Sequence, residues 1–376
     1  MFFPYIYIAT IYLILRHIVP LPLGRAARAG IGMAILLVCS HHTIQRWITG
    51  TMFSPEIPRA FVIALGVLYC TFFLGLVLCL LLDLGLLLAW ALRRGRAVSA
   101  ARTMRLRYAV FALAAVLAAV GVSQAIVVPD VRRVELAIRD LPPGLNGFRM
   151  VQLTDLHISR LMDQDWVRAV VARTNGLQAD LIVITGDLID GTPQARHDDI
   201  APLADLRARH GVIASLGNHE YYFGAERWTR EFERLGMRVL VNRHTLLEQA
   251  GGRITVAGVA DRVAARFAMP GPDTRAAIEG APPELPVILL SHQPIEVQEN
   301  ALAGIDVQLS GHTHGGMIRG IDQVVRRANG GYVSGHYVVG PLQLYVGNGT
   351  GLWNGFPIRL GVPGEITEFT LKPLAD

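Results

Sequence analysis

Two short stretches decide how this chain folds: Leu216-Gly217-Asn218-His219-Glu220 and Ser310-Gly311-His312-Thr313-His314-Gly315-Gly316. Each follows an apolar run, 211–215 before the first and 306–309 before the second. Each then sets an amide or imidazole among glycines. This is the pattern of a strand that ends in a sharp turn carrying a polar head group. Working outward, the pattern recurs. The strand 148–154 leads into Asp155-Leu156-His157, the strand 180–185 into Gly186-Asp187, and the strand 286–291 into His292. Helical spacing fills 166–174, 199–209 and a segment from 224 to about 235. Another strand is predicted at 253–259, a strand and turn at 131–147, and a β-rich tail at 337–371. Apolar strands alternating with helices predict sheets buried on both faces. In such α/β folds, ligands bind beyond the C-terminal ends of the strands, where these polar residues all fall.

The residue types define a chemistry. In extended backbone Asp155 and His157 point the same way. Asp187 adds a second carboxylate, Asn218 an amide oxygen, and His292, His312 and His314 three imidazoles. Any one of these motifs alone is common; the ordered set is specific to a metal site. The three cysteines, Cys39, Cys70 and Cys79, all precede residue 100, so the second part of the chain offers no thiolate. Imidazole and carboxylate ligands without thiolate suit Mn²⁺, Zn²⁺ or Fe.

This set resembles the calcineurin-like metallophosphoesterase superfamily. The resemblance covers about residues 146–371, including Gly347-Asn348-Gly349-Thr350-Gly351 and Pro357-Ile358-Arg359-Leu360. With the apolar segments that precede it, the chain is similar to the transmembrane metallophosphoesterase group, related to the bacterial YkuE and YaeI type. The resemblance implies an α/β domain built as a four-layer αββα sandwich and two divalent metal ions, with Mn favoured. It implies that Asp155, His157 and His314 hold one metal, that Asn218, His292 and His312 hold the other, and that Asp187 bridges them. His219 is then the catalytic residue near the leaving group rather than a ligand. Glu220 replaces an aspartate of many relatives and is expected to alter the support of His219. Val362-Pro363-Gly364-Glu365 lacks a second proline, which should change only loop shape. Asp190 reads equally as an acceptor behind a ligand and as a helix cap. His197, His210, His244 and His336 read as surface or loop residues.

The first third is different in kind. Of 376 residues 52% are hydrophobic and 17% charged, and the apolar excess lies before residue 130. Mean hydropathy is +0.38. The expected organisation is a membrane domain at 1–129, with about four transmembrane α-helices, and a metallophosphoesterase domain at 130–376. The four apolar segments are 2–19, 29–48, 60–92 and 108–128. The first and fourth match the roughly 20 residues a span needs. The second is interrupted by Ser40, His41, His42 and Arg46. The third is long and carries Asp83, read as an interfacial or helix-packing residue because the sequence shows no partner for it. Arg93, Arg94, Arg96, Arg102, Arg105 and Arg107 crowd the connection before the fourth segment, which predicts a cytoplasmic loop. A multi-pass protein of the cytoplasmic (plasma) membrane follows, with an extracytoplasmic catalytic domain. Ser123-Gln124-Ala125 has the look of a cleavage site, but its internal position favours an uncleaved span.

The expected function is hydrolysis of a phosphodiester, phosphomonoester or diphosphate bond, in a lipid-linked or envelope substrate. Two alternatives stand beside it: a membrane sensor or scaffold whose metal domain is weakly catalytic, and a metal-dependent nuclease. The charge of +5 prompts the latter. Much of the arginine flanks hydrophobic segments, so nucleic acid is not an expected partner.

Overall fold

The computed structural model describes residues 3–374. Met1, Phe2, Ala375 and Asp376 lie outside the described residues, and with them the outermost ends of the first apolar segment and of the 130–376 domain. The chain divides into two compact units. One is Met1–Gln124 with Asn354–Leu360; the other is Ala125–Trp353 with Gly361–Asp376. The change of unit falls a few residues before the predicted boundary at 129/130, and the division sets a short late segment with the helices.

In the helical unit, α1 (Phe3–Leu13) passes into a π-helical turn, Ile14–Ile18. The apolar stretch Tyr5–Ile18 is shorter than a span: at 1.5 Å per residue it reaches about 21 Å, against roughly 30 Å of hydrocarbon. Among the described residues, three helices are long and apolar enough to cross a membrane: α2 (Arg25–Thr49), α3 (Arg59–Leu92) and α4 (Ala100–Ala125). The second segment, read as marginal, is therefore long enough to span, and the first gives, among the described residues, a shorter apolar helix. Helix α2 runs unbroken through Ser40-His41-His42 because its polar rings are housed within the unit. His42 is buried, lies 3.8 Å from the ring of His41 and meets Tyr69 edge-on at 4.8 Å.

Asp83 has the partners that the sequence did not show, and they suit its helix-packing reading. The Tyr12 hydroxyl and the Arg16 Nε each donate to its Oδ2 at 2.8 Å, and Arg107 Nη2 lies 3.8 Å from its Oδ1. The late segment Asn354–Leu360 is seated in this unit by two glycines. Pro357 fills the notch left by Gly66, where a Cβ would come within 2.7 Å of its ring. Arg359 N donates to the carbonyl of Gly121 at 3.0 Å, and Phe356 meets Phe73 edge-on at 4.9 Å.

The second unit is an α/β domain with two mixed six-stranded sheets. Its elements begin with β1 (Val131–Ile138), β2 (Arg149–Leu153), α5 (Gln164–Gly176), β3 (Leu181–Thr185), α6 (Pro193–Ile200) and β4 (Val212–Ser215). There follow α7 (Asn218–Tyr222), α8 (Ala225–Arg234), β5 (Met237–Val239), β6 (Arg243–Gln249), β7 (Gly252–Gly258) and α9 (Thr274–Ile278). The remainder is β8 (Val287–Leu290), α10 (Val297–Leu302), β9 (Val307–Ser310), α11 (Asp322–Ala328), β10 (Gly335–Val339), β11 (Leu342–Val346) and β12 (Ile366–Pro373). The predicted helix at 199–209 is displaced. Thr192 caps the Ala195 N–H, Pro193 opens α6, and a 3₁₀ turn at Ala201–Asp205 follows it. Strands β5 and β6 had no reading of their own; β5 has only three residues, and β6 has only two apolar residues, the adjacent Leu246 and Leu247, so it shows no period-two pattern.

The strand order is β1-β12-β2-β3-β4-β5 in one sheet and β10-β11-β9-β8-β7-β6 in the other. Side chains from both sheets share one core: Leu136, Met150, Leu181, Val183 and Ile213 from the first, and Ile254, Val256, Ile288, Leu290, Leu309 and Tyr345 from the second. Neighbouring strand positions Val151, Ile182 and Ile184 are also buried, so the opposite face of the first sheet is covered as well. On the second sheet, Leu289, Leu344 and Val346 pack with Ala277 of α9 and Val297 of α10. Two sheets face to face with helices outside form the expected sandwich. Strands β2, β3 and β4 are mutually parallel, as are β7, β8, β9 and β11. Their C-terminal ends carry the site.

Candidate metal centre and catalytic site

The residues singled out in the sequence converge. Asp155 and His157 follow β2, Asp187 follows β3, Asn218 and His219 open α7 just after β4, His292 follows β8, and His312 and His314 follow β9. Ligand atoms of Asp155, His157 and His314 lie within 4.8 Å of one another, and so do those of Asp187, His292 and His312. Asp187 stands between the groups. Its Oδ2 is 3.2 Å from His292 Nε2 and 3.7 Å from His157 Nε2, while Oδ1 accepts the His219 N–H at 2.8 Å. Asn218 Oδ1 is 3.2 Å from His292 Nε2. A third trio, His157, Asp187 and His219, is equally close, so distance alone leaves His219 among the groups able to hold a metal.

The backbone is bent to make this possible. Asp155, His157, Asp187, His312 and His314 all have positive φ, between 46° and 68°. A non-glycine residue there costs about 1–2 kcal/mol, and such strain clusters at functional sites. Glycines let the turns approach each other. A Cβ on Gly186 would stand 2.5 Å from Gly217 N and 2.8 Å from His292 Nδ1, and one on Gly217 would collide with the Asp187 carboxylate.

Three of the imidazoles, His292, His157 and His219, are oriented from behind. The Thr185 carbonyl accepts from His292 Nδ1 at 2.8 Å, which aims Nε2 at Asp187. Asp190 Oδ1 faces His157 Nδ1 at 3.3 Å and also bonds His219 Nδ1. Asp190 is thus an acceptor behind the site residues rather than a helix cap. Glu220 has a different task from the one expected. Its carboxylate accepts the N–H groups of Gly217 (2.7 Å), Asp187 (3.0 Å) and Leu188 (2.7 Å), so it ties two turns together, while Asp190 supports His219. The 347–351 segment completes the frame: Thr350 N and Gly351 N donate to the carbonyls of Thr154 and Asp155 at 2.7 and 2.9 Å. The other histidines stand apart from the site. His197 pairs with Asp198, His210 with Gln249, His244 with the Ala277 carbonyl and His336 with Gln343; His244 and His336 lie on strands rather than loops.

The electrostatics ask for a cation. Asp155 and Asp187 are buried, and among the described residues their ion pairs are with histidine alone. Burial raises the Asp155 carboxyl above its usual range. The same burial acts on Asp187, but His292, His219 and His157 hold it well below that range. Burial opposes a charge on His219 as well; Asp187 and Asp190 outweigh it and raise the imidazole to about 9. His157 Nε2 is buried without a hydrogen-bond partner, facing Asp155 and Asp187. Two enclosed carboxylates, histidines with their nitrogens turned inward and an unpartnered imidazole nitrogen fit divalent metal.

Comparison with known proteins agrees with the geometry. Residues 148–316 match the family model described as calcineurin-like phosphoesterase. The chain is 34% identical over 301 residues to a transmembrane protein with metallophosphoesterase domain from Bos taurus, covering 76% of this chain and 67% of that protein. It is 30% identical over 306 residues to an uncharacterized metallophosphoesterase of Campylobacter jejuni, covering 81% and 79%. It is 31% identical over 239 residues to the uncharacterized metallophosphoesterase YkuE of Bacillus subtilis, covering 62% and 82%. The chain belongs to the calcineurin-like phosphoesterase family and is a metal-dependent phosphoric ester hydrolase. Its three apolar helices and its transmembrane relatives make it membrane-associated.

Proposed function

We propose that this chain is a multi-pass membrane phosphoesterase with a dinuclear metal site that cleaves a phosphodiester, phosphomonoester or diphosphate bond. Asp155, His157 and His314 would hold one metal, Asn218, His292 and His312 the other, and Asp187 both. The observation that carries this reading is the position of Asp187 between His157 and His292. The metals, Mn²⁺ in preference to Zn²⁺ or Fe, would supply Lewis acidity toward phosphoryl oxygens and lower the pKa of water.

The protein's own part is positioning and proton transfer. The paired ligand clusters fix where phosphorus sits. His219 is held at Nδ1 by Asp190, which leaves Nε2 as the nitrogen able to give a proton to the departing oxygen. The domain, residues 130–376, would lie outside the cytoplasmic membrane, because the arginine-rich stretch before α4 favours the cytoplasm. Anchorage keeps the site within reach of lipid head groups and supports a lipid-linked or envelope phosphate ester as the substrate.

Full-length protein loaded with Mn²⁺ should turn over bis(4-nitrophenyl) phosphate, and a chelator should abolish that turnover. Absence of turnover with two metals bound would favour a sensor or scaffold. A reporter fused at the C-terminus should be active only outside the cytoplasm, and one within 95–105 only inside; the reverse would overturn the orientation.

A further inference from the structure

The short helix α7 fixes more than Asn218 and His219. Residues three and four apart share a helix face, so Tyr222 must lie on the face of both. It does share the face of His219: the two rings are 5.2 Å apart. Tyr222 is nonetheless 36% exposed, and its next aromatic neighbour, Phe267 at 6.2 Å, is 45% exposed. Phe267 ends the 3₁₀ turn Arg262–Phe267, after which Ala268 turns the chain away at φ 55°.

This turn is anchored beside the centre. Asp261 caps it by accepting the Val263 N–H at 2.8 Å, and Gln293, the residue after His292, donates Nε2 to both Asp261 oxygens at 3.0 and 2.9 Å. Asp261 and Gln293 are buried. A buried clamp of this kind holds a large apolar ring in water with no evident benefit to the core.

We propose that Tyr222 and Phe267 form a platform for the leaving group, and that the enzyme's substrates carry an apolar or ring-bearing body on the oxygen that departs. This rests on the reading of His219 as proton donor, because the platform continues from that residue. The P–O bond to the leaving group breaks as the oxygen of water bonds to phosphorus and one of its protons passes to solvent, from which His219 is reprotonated for the next turnover. The proton from His219 Nε2 goes to the departing oxygen, whose organic body then lies against the two rings. The rings offer area and flat faces, which favour apolar or aromatic bodies over small alkyl groups.

The test uses full-length, Mn²⁺-loaded protein and the methyl phosphodiesters of ethanol and 2-phenylethanol, with release of each alcohol measured by chromatography. The two alcohols have similar acidity, so the chemistry is matched and only the body differs. The expected kcat/KM favours the phenylethyl ester by about tenfold, the scale of one good apolar contact. Phe267→Ala and Tyr222→Ala should each bring that ratio toward one with metal content retained. Phe267→Leu and Tyr222→Phe should keep most of it, which separates contact with the leaving group from damage to the fold. A wild-type ratio near one, with both esters cleaved, overturns the platform and leaves the phosphoesterase reading standing. Cleavage of neither ester by protein that still turns over bis(4-nitrophenyl) phosphate overturns the platform alone; with that turnover also absent and metal bound, both readings fall.

Discussion

The molecule encloses carboxylates in two ways, one partly and the other fully. In the helical unit, Asp83 is met by cations and donors of the chain itself: Arg16, Arg107 and Tyr12. In the α/β unit, Asp155 and Asp187 are more deeply enclosed and meet only histidine and local hydrogen-bond donors. A buried carboxylate without a cation is expensive. The first arrangement is complete as it stands and serves packing. The second sets imidazole nitrogens around fully enclosed carboxylates, the donor chemistry of a divalent-metal site, which is why it reads as a binding centre.

The largest test of that contrast is Asp187→Asn. Both metals should be lost or weakened together, and turnover should fall on the order of 10³-fold or more. Elemental analysis and activity check this, and full two-metal occupancy in the variant would sink the bridging role. Next is His219→Ala, which should retain both metals. General-acid loss costs roughly 10²–10⁴-fold, and the loss should be far greater for an alkyl phosphodiester than for a nitrophenyl ester, whose leaving group needs little help. Equal losses would point to electrostatic stabilisation instead, and loss of metal would assign His219 to the third trio of close groups. Asp190→Asn should cost about 10–100-fold in activity, since it replaces the charged acceptor behind both His157 and His219 with a neutral amide; an unchanged rate would deny it that role. The smallest effect belongs to the helical unit. Asp83→Asn should leave metal content and turnover intact and lower stability in detergent by about 1 kcal/mol, the scale of intramembrane polar contacts after discount for the exposed Arg16. A loss of metal would erase the distinction between the two kinds of carboxylate.

Much of the site was legible because its residues sit in compact motifs. The pairs Asp155/His157, Gly186/Asp187, Asn218/His219 and His312/His314 each follow an apolar run, and a strand followed by a glycine turn has few other readings. The positive-φ backbone of five of these residues was not legible, since aspartate and histidine do not announce it as glycine does. Glu220 was misread for a related reason. Its neighbour in sequence is His219, whereas its oxygens reach back 32 and 33 residues to Leu188 and Asp187.

By itself, then, the sequence determined the elements and the inventory: which runs are apolar enough to be strands or spans, which polar residues end them, and that no thiolate is among them. These follow from composition and short-range spacing. Tertiary structure alone decided the partnerships: Asp190 with His219 across 29 residues, Asp83 with Tyr12 across 71, and Phe267 with Tyr222 beside the centre. Side chains so far apart in the chain meet only after strand order and helix packing are fixed. That order is set by the whole core, which no local window contains.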